Sequence, residues 1–128
     1  MAEMSNYLEN ALINVTLRAT SYTAPTTVYV GLYTSDPTDA NTGTEVSGGS
    51  YARKSATFGA PSNGASTTSA DITFDQATAS WGTIAYIGIL DALTSGNLLY
   101  HTALDTSKAI DTGDIFKIAS ASLTVTLA

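Results

Sequence analysis

Residues 34–53, TSDPTDANTGTEVSGGSYAR, bring acidic and turn-forming residues together between two segments with strand periodicity. Carboxylates at alternating positions of a loop are the ligands of a calcium site, which also needs a glycine and a final bidentate acid. If a calcium loop began at Asp36, its fifth position would be Ala40, which cannot ligate an ion. If it began at Asp39, the glycine of the loop, Gly43, would come too early in the pattern. The spacing therefore predicts no metal site within this loop.

The remaining residues of the loop are those of ordinary turns. Pro37 fixes φ and Gly43 permits a positive φ. The same interpretation applies to DTGD (111–114), whose two acids flank a hairpin turn. Long loops without secondary structure are usually functional or disordered. We therefore interpret 35–50 as a contact loop, and the candidate contact residues in and beside it are Asp36, Asp39, Glu45, Tyr51 and Arg53.

His101 is the only histidine of the chain. A catalytic histidine needs a nucleophile or a proton to move, and an acid to orient it. Asp105 lies four residues further along, where a strand would not bring it beside His101. The chain also lacks a Gly-x-Ser-x-Gly elbow, a P-loop and a Gly-x-Gly-x-x-Gly stretch. We expect His101 on the surface or on an edge strand, no enzymatic activity, and no catalytic, cofactor-binding or metal-ligating residues.

One segment has the pattern of a helix, SNYLENALINVTLRAT, and we predict a helix over residues 6–19. Asn6 is the predicted N-cap, with Glu9 three residues later. Apolar residues form one stripe at helical spacing: Leu8, Leu12, Val15 and Ala19. Ile13 and Leu17 form a second. A surface helix needs only one apolar stripe, so we predict that a partner covers the other, with Leu8, Leu12, Ile13 and Leu17 as candidate contacts.

The rest of the chain alternates short apolar segments with Gly, Asn and Asp turns. Strand patterns occur in TTVYVGLYT (26–34), SYARKSATF (50–58), ADITFDQ (70–76) with Ile72 and Phe74 inward, SWGTIAYIGILDA (80–92), LLYHTAL (98–104) and IFKIASASLTVTL (115–127). Trp81, with Tyr86 nearby, could stack on a sugar, but an aromatic within an apolar strand is more typical of a core. Gly82 and Gly88 indicate a bulge or a close backbone approach.

This spacing of strands is typical of a sandwich or barrel. We predict an all-β fold, an antiparallel, jelly-roll-like β-sandwich with one N-terminal α-helix. A single domain is expected, with an arm and helix over 1–25 and the sandwich over 26–128. The 21 Thr and 14 Ser of the 128 residues suit a half-buried pleated surface.

Composition excludes several classes of function. The net charge is −6 with only five basic residues, so the basic footprint of a nucleic-acid-binding protein is absent. The chain has no cysteine, which excludes disulfides and thiolate metal sites. No apolar run approaches the ~20 residues that span a bilayer. The acidic start MAEMSNYLENA differs from a secretory signal, and we expect synthesis in the cytoplasm of a host cell and no membrane partner.

The sequence resembles a widespread group of short virion proteins of tailed bacteriophages. The resemblance is carried by YVGLYTSDPTDANTGTEVSGGSYARKSATFGAP, DITFDQATASWGTIAYIGILDA, GNLLYHTAL and DTGDIFKIASASLTVTL, and extends to the lead-in NYLENALINVTLRATSYTAPT. Members of the group are labelled tail fibre protein or virion structural protein, and similar small β-sandwich proteins serve as cement proteins on phage heads. The resemblance implies no catalytic residues and no cofactor.

Two virion functions fit this resemblance. The chain has no repeat and no shaft of the kind that long adhesive fibres carry, and an acidic surface suits an outer coat. These features favour a cement or decoration protein that binds the major capsid protein on the outer capsid surface and staples capsomers. The alternative is a tail fibre or tail-associated component. For the protein that staples capsomers we predict a homo-oligomer, a trimer or otherwise a dimer.

Overall fold

A computed structural model describes residues 2–127. Within them, one helix follows a two-residue strand and precedes eight further strands. The elements are β1 (Glu3–Met4), α1 (Asn6–Leu17), β2 (Val28–Tyr33), β3 (Lys54–Ala56), β4 (Ala65–Thr67), β5 (Ile72–Thr73), β6 (Gly82–Leu90), β7 (Leu98–Ile110), β8 (Lys117–Ile118) and β9 (Thr124–Thr126).

Five strands form the main sheet in the order β1-β7-β6-β2-β3, and every neighbouring pair is antiparallel. The other four strands pair as two antiparallel ribbons, β4-β9 and β5-β8. The all-β prediction with one N-terminal helix is confirmed. Val30 and Ile87 of the main sheet belong to the same hydrophobic cluster as Ile72 and Val125 of the ribbons, an arrangement compatible with a sandwich.

The central strands β2 and β6 are apolar on both faces because each face has its own cover. On one face, Val30 and Leu32 pack into the hydrophobic cluster. On the other, Tyr33 is only 2% exposed and its hydroxyl donates to Asn41 Oδ1 at 3.2 Å, so the loop after β2 lies over this face. The apolar residues of β6 need no second subunit to cover them, since the chain itself buries Ile84, Ile87, Ile89 and Leu90.

The two glycines predicted to mark β6 are both needed. Gly88 lies opposite Gly31 in the register of β2 and β6. A Cβ at Gly88 would lie 2.7 Å from Leu98 Cδ1 and 2.9 Å from Tyr33 Cε1. The glycine therefore lets the Leu98 and Tyr33 side chains pack directly against the backbone of β6. Gly82 begins β6 at φ +80°, which side chains disfavour.

The helix begins with a different cap from the predicted one. Ser5, not Asn6, is the N-cap, and its Oγ accepts from the Leu8 N–H at 3.2 Å. Ser5 is only 1% exposed because its backbone N–H also donates to the Leu99 carbonyl at 2.9 Å, which anchors the cap on β7. The helix ends at Leu17 rather than at residue 19, since Ala19 has φ +52°.

Several strand boundaries also differ from the predicted ones. The segment 50–58 contributes only Lys54–Ala56, while the strand predicted at 98–104 continues to Ile110. Ile72 and Phe74 point inward as predicted. At the C-terminal end Leu123 and Val125 are buried but Leu127 is 40% exposed. Within residues 2–127, α1 lacks the length and hydropathy that a helix needs to cross a membrane.

β7 is longer than the strand it pairs with. Ile84 of β6 lies opposite Lys108 and Tyr86 lies opposite Ala103, so the four residues 104–107 face Ala85 alone. Excess residues of this kind form a bulge that bends the strand. The bent half of β7 and the segment 116–126 enclose a groove of about 690 Å³, whose lining includes Leu104, Thr106, Lys108, Phe116, Lys117 and Thr124.

Candidate functional site

The contact loop predicted at 35–50 folds by backbone turns, partly as expected. The Asp36 carboxylate accepts from the Thr38 N–H at 2.9 Å, and Pro37 is fully buried. The sequence argument that Gly43 supplies a positive φ is wrong, since the positive φ values of this turn are at Thr38 (57°) and Asn41 (55°). Glycine is required at position 43 for close packing, because a Cβ there would lie 2.5 Å from the Asp36 carbonyl oxygen.

The second half of the loop is held by the Glu45–Arg53 cluster, which consists of Glu45, Tyr51 and Arg53. The Arg53 Nε and Nη2 atoms donate to the two Glu45 oxygens, each at 2.8 Å. Arg53 Nη1 donates to the carbonyls of Ala92 and Ser95 at 2.9 and 2.8 Å. The guanidinium thus ties this loop to the turn between β6 and β7.

Tyr51 completes this cluster from the core side. Its hydroxyl donates to Glu45 Oε2 at 2.6 Å and accepts from the Leu32 N–H at 2.9 Å. Its ring packs edge-on against Trp81 with 5.4 Å between centroids, and Trp81 is a core residue as predicted, at 4% exposure. Burial, followed by the hydrogen bond to Glu45, raises the pKa of Tyr51 well above its usual range.

Glu45 and Arg53 form an ion pair between two largely covered side chains. The hydrogen bonds to Glu45 raise the pKa of the Arg53 guanidinium, and the two side chains are only 10% and 23% exposed. The polar groups of Glu45, Tyr51 and Arg53 therefore bind one another within the chain. Their assignment as contact residues for a partner stays a prediction.

The first half of the loop joins a second group, the His101 cluster, which consists of Glu3, Asp36, Asp39 and His101. His101 Nε2 lies 2.8 Å from Asp39 Oδ1 and 3.8 Å from Glu3 Oε2. His101 Nδ1 lies 3.8 Å from Asp36 Oδ1. Both ring nitrogens therefore face carboxylates, which come from the contact loop and from β1.

The predicted location of His101 on the surface or on an edge strand is wrong. His101 is only 5% exposed because β1 pairs outside β7, with Glu3 opposite His101, and because the contact loop lies against the ring. Asp105 lies four residues further along β7. Among residues 2–127, Glu3, Asp39 and His101 are the group whose ligand atoms lie within 4.8 Å of one another and could hold a metal ion.

Glu3 was missed by sequence reasoning. Glu3 precedes the helix by a few residues and belongs to β1, which has only two residues. Two residues are too few to show the alternation of apolar and polar side chains that indicates a strand. Its placement follows from the pairing of β1 with the outer edge of β7, and a two-residue strand carries no sequence signal that would reveal such a pairing.

The helix contact residues divide into an inner and an outer set. Leu8 is 5% exposed and Leu12 is partly buried, whereas Val15 of the same stripe is 41% exposed. Ile13 and Leu17, one turn apart, are 53% and 79% exposed and form the outer face of α1. Of the two predicted apolar stripes, the first is thus covered only at its start and the second is exposed, and a partner that covers Ile13 and Leu17 stays a prediction.

Comparison with known proteins is consistent with the resemblance to phage virion proteins. The family model described as podophage GP4 fiber I protein gp80 matches residues 3–126, which include every helix and strand listed above. No curated protein matches the chain.

Proposed function

The chain belongs to the family of podophage GP4 fiber I protein gp80, and on this premise we propose that it is a component of a phage tail fibre. The observation that carries the proposal is the extent of the match, residues 3–126, because it covers the contact loop and the helix as well as the sheet. The chain is a structural protein of the virion.

The fibre was the alternative in the sequence analysis, where capsid decoration was favoured. The family description names a fibre and gives no support to decoration. The major capsid protein, the partner that decoration requires, is not part of the present proposal. The absence of a shaft repeat is consistent with a short unit that attaches to neighbouring chains instead of spanning a distance alone.

We propose the outer face of α1 as the attachment surface, with a second copy of the chain as the first partner. Ile13 and Leu17 are 53% and 79% exposed on a helix that buries Leu8 within the chain. Burying a Leu or Ile side chain completely contributes about 1.5–3 kcal/mol, so covering this pair contributes about 3 kcal/mol per subunit. In a dimer both subunits bury the pair, so the total of about 6 kcal/mol corresponds to about ten-thousandfold in the association constant. A trimer or a dimer is expected.

The position on the virion is tested by electron microscopy with gold-labelled antibody against the chain. We expect gold at the tail of intact virions. Labelling of the head surface, with none at the tail, would refute the fibre proposal and restore capsid decoration.

Self-association is tested by light scattering on the purified chain at micromolar concentration. We expect an oligomer for the wild type and a monomer for the double variant Ile13→Ser, Leu17→Ser. Ile115→Ser is the matched control, because Ile115 is a 56% exposed isoleucine of the segment between β7 and β8, and it should leave the oligomer intact. A monomeric wild type, or an oligomer that survives the double substitution, would show that α1 is not the surface between subunits.

A further inference from the structure

We propose that Glu3, Asp39 and His101 bind a divalent transition-metal cation and that Zn²⁺ is the ion that fits the donors best. An imidazole nitrogen and two carboxylate oxygens belong to the usual ligands of zinc. The sequence argument against a metal considered the spacing of acids within the contact loop alone. The structure adds one ligand from β1 and one from β7, and neither of these lies in the loop.

The distances fit a shared ion. A tetrahedral zinc with bonds of about 2.0–2.1 Å holds its donor atoms roughly 3.3–3.4 Å apart. His101 Nε2 is 2.8 Å from Asp39 Oδ1 and 3.8 Å from Glu3 Oε2, values on either side of that spacing. The Glu3 side chain is 73% exposed and can turn to close the longer distance.

The charges also favour a cation. Three carboxylates surround one imidazole in the His101 cluster. The ion pairs that lysine and arginine form within residues 2–127 go to other acids, namely Glu45, Asp75 and Asp71. The cluster therefore has three acidic side chains and, in the described part of the chain, no lysine or arginine paired with them, and a divalent ion would complement them.

The backbone holds the ligands in place without the ion. Glu3 lies opposite His101 in the register of β1 and β7, and the Asp39 carbonyl accepts from the Asn6 N–H at 2.9 Å. A ligating histidine commonly pairs its second ring nitrogen with a carboxylate, and Asp36 Oδ1 lies 3.8 Å from Nδ1. A bound ion would fasten the start of the chain and the contact loop to β7.

The test uses the full chain, freed of metal by chelator and then titrated with Zn²⁺ by calorimetry. We expect one zinc per chain and a melting temperature that rises on binding. Because His101 is the only histidine, its imidazole ¹⁵N resonances need no assignment by mutation, and the Nε2 resonance should move when zinc binds.

The ligands are tested by Glu3→Gln and Asp39→Asn, which preserve side-chain shape and remove charge. Each should weaken zinc binding at least about tenfold. Glu9→Gln is the matched control, with the same change of charge near the start of the chain, and it should bind zinc as the wild type does. Absence of zinc binding, wild-type affinity in either ligand variant, or an unmoved Nε2 resonance would overturn the proposal and leave an ordinary His101–Asp39 hydrogen bond.

Discussion

Replacing Arg53 by alanine should destabilise the protein more than any other single change of a charged residue outside the His101 cluster. The substitution removes four hydrogen bonds, two to Glu45 and one each to the carbonyls of Ala92 and Ser95. It also leaves the Glu45 carboxylate without its cation in a place where only 23% of that side chain is exposed.

The magnitude follows from the burial of the pair. Removing one partner of a buried ion pair costs about 3–5 kcal/mol. Glu45 keeps the hydrogen bond from Tyr51 and some access to water, so we expect the low end, about 3 kcal/mol. Out of a total stability of about 5–15 kcal/mol, this loss should lower the melting temperature by roughly 10 °C.

The assay is urea unfolding followed by tryptophan fluorescence. Trp81 is the only tryptophan, and it is buried against Tyr51, so its emission reports directly on this part of the core. With a slope of about 1.5 kcal/mol per molar urea, the midpoint should fall by about 2 M.

The neighbouring residue Lys54 provides the control. Lys54 also forms an ion pair, with Asp75 at 2.9 Å, but the two side chains are 30% and 60% exposed. Exposed pairs contribute about 0–1 kcal/mol, so Lys54→Ala should change the midpoint little. A loss below about 1 kcal/mol for Arg53→Ala, or equal losses for the two variants, would refute the reasoning that burial makes the Arg53 pair important.

Two further predictions concern the packed face of β6 and its cover. Gly88→Ala should lower the free energy of unfolding by about 1–3 kcal/mol, because the added methyl group overpacks against Leu98 and Tyr33. Gly59→Ala is the control and should be close to neutral in the same urea assay, since the nearest neighbouring atom would be 3.8 Å from its methyl group. Equal effects of the two substitutions would contradict the close approach at Gly88. Burial raises the pKa of Tyr33 to about 12, so the unfolded chain loses this phenol proton first and the free energy of unfolding should fall between pH 10 and pH 12. Tyr33→Phe should show a shallower fall over that range, and an unchanged slope would mean that Tyr33 ionises as it does in water.

The parts of the fold that the sequence predicts well are those with local patterns. The alternation of Val28, Val30 and Leu32 predicts β2, and the inward Ile72 and Phe74 are found as expected. The helix is predicted to within two residues because its apolar spacing continues over three turns. These signals are local because the spacing of the apolar residues follows directly from the geometry of a helix or a strand.

The features that the sequence does not predict depend on contacts between distant residues. Ser5 and Asn6 are equally good caps by type, and Ser5 is selected because β7 accepts its backbone N–H. The sequence around His101 does not show whether this residue lies on an edge strand or is covered. His101 is covered because β1 pairs beside β7 and the contact loop lies against its ring. The bidentate pair of Glu45 and Arg53 likewise needs the turn at Ala92 to place the guanidinium.

The mismatch between β6 and β7 bears on how the length of this chain can change in evolution and in engineering. Four residues of β7, 104–107, lie opposite the single residue Ala85, an excess of three. Deleting three of these four residues would restore an uninterrupted ladder of backbone hydrogen bonds between β6 and β7. Adding residues there would enlarge the bulge, and the pairs on either side would keep their register, namely Tyr86 with Ala103 and Ile84 with Lys108. Relatives of different length can therefore share one sheet, and the same position can receive an inserted affinity tag that labels the protein on the assembled particle.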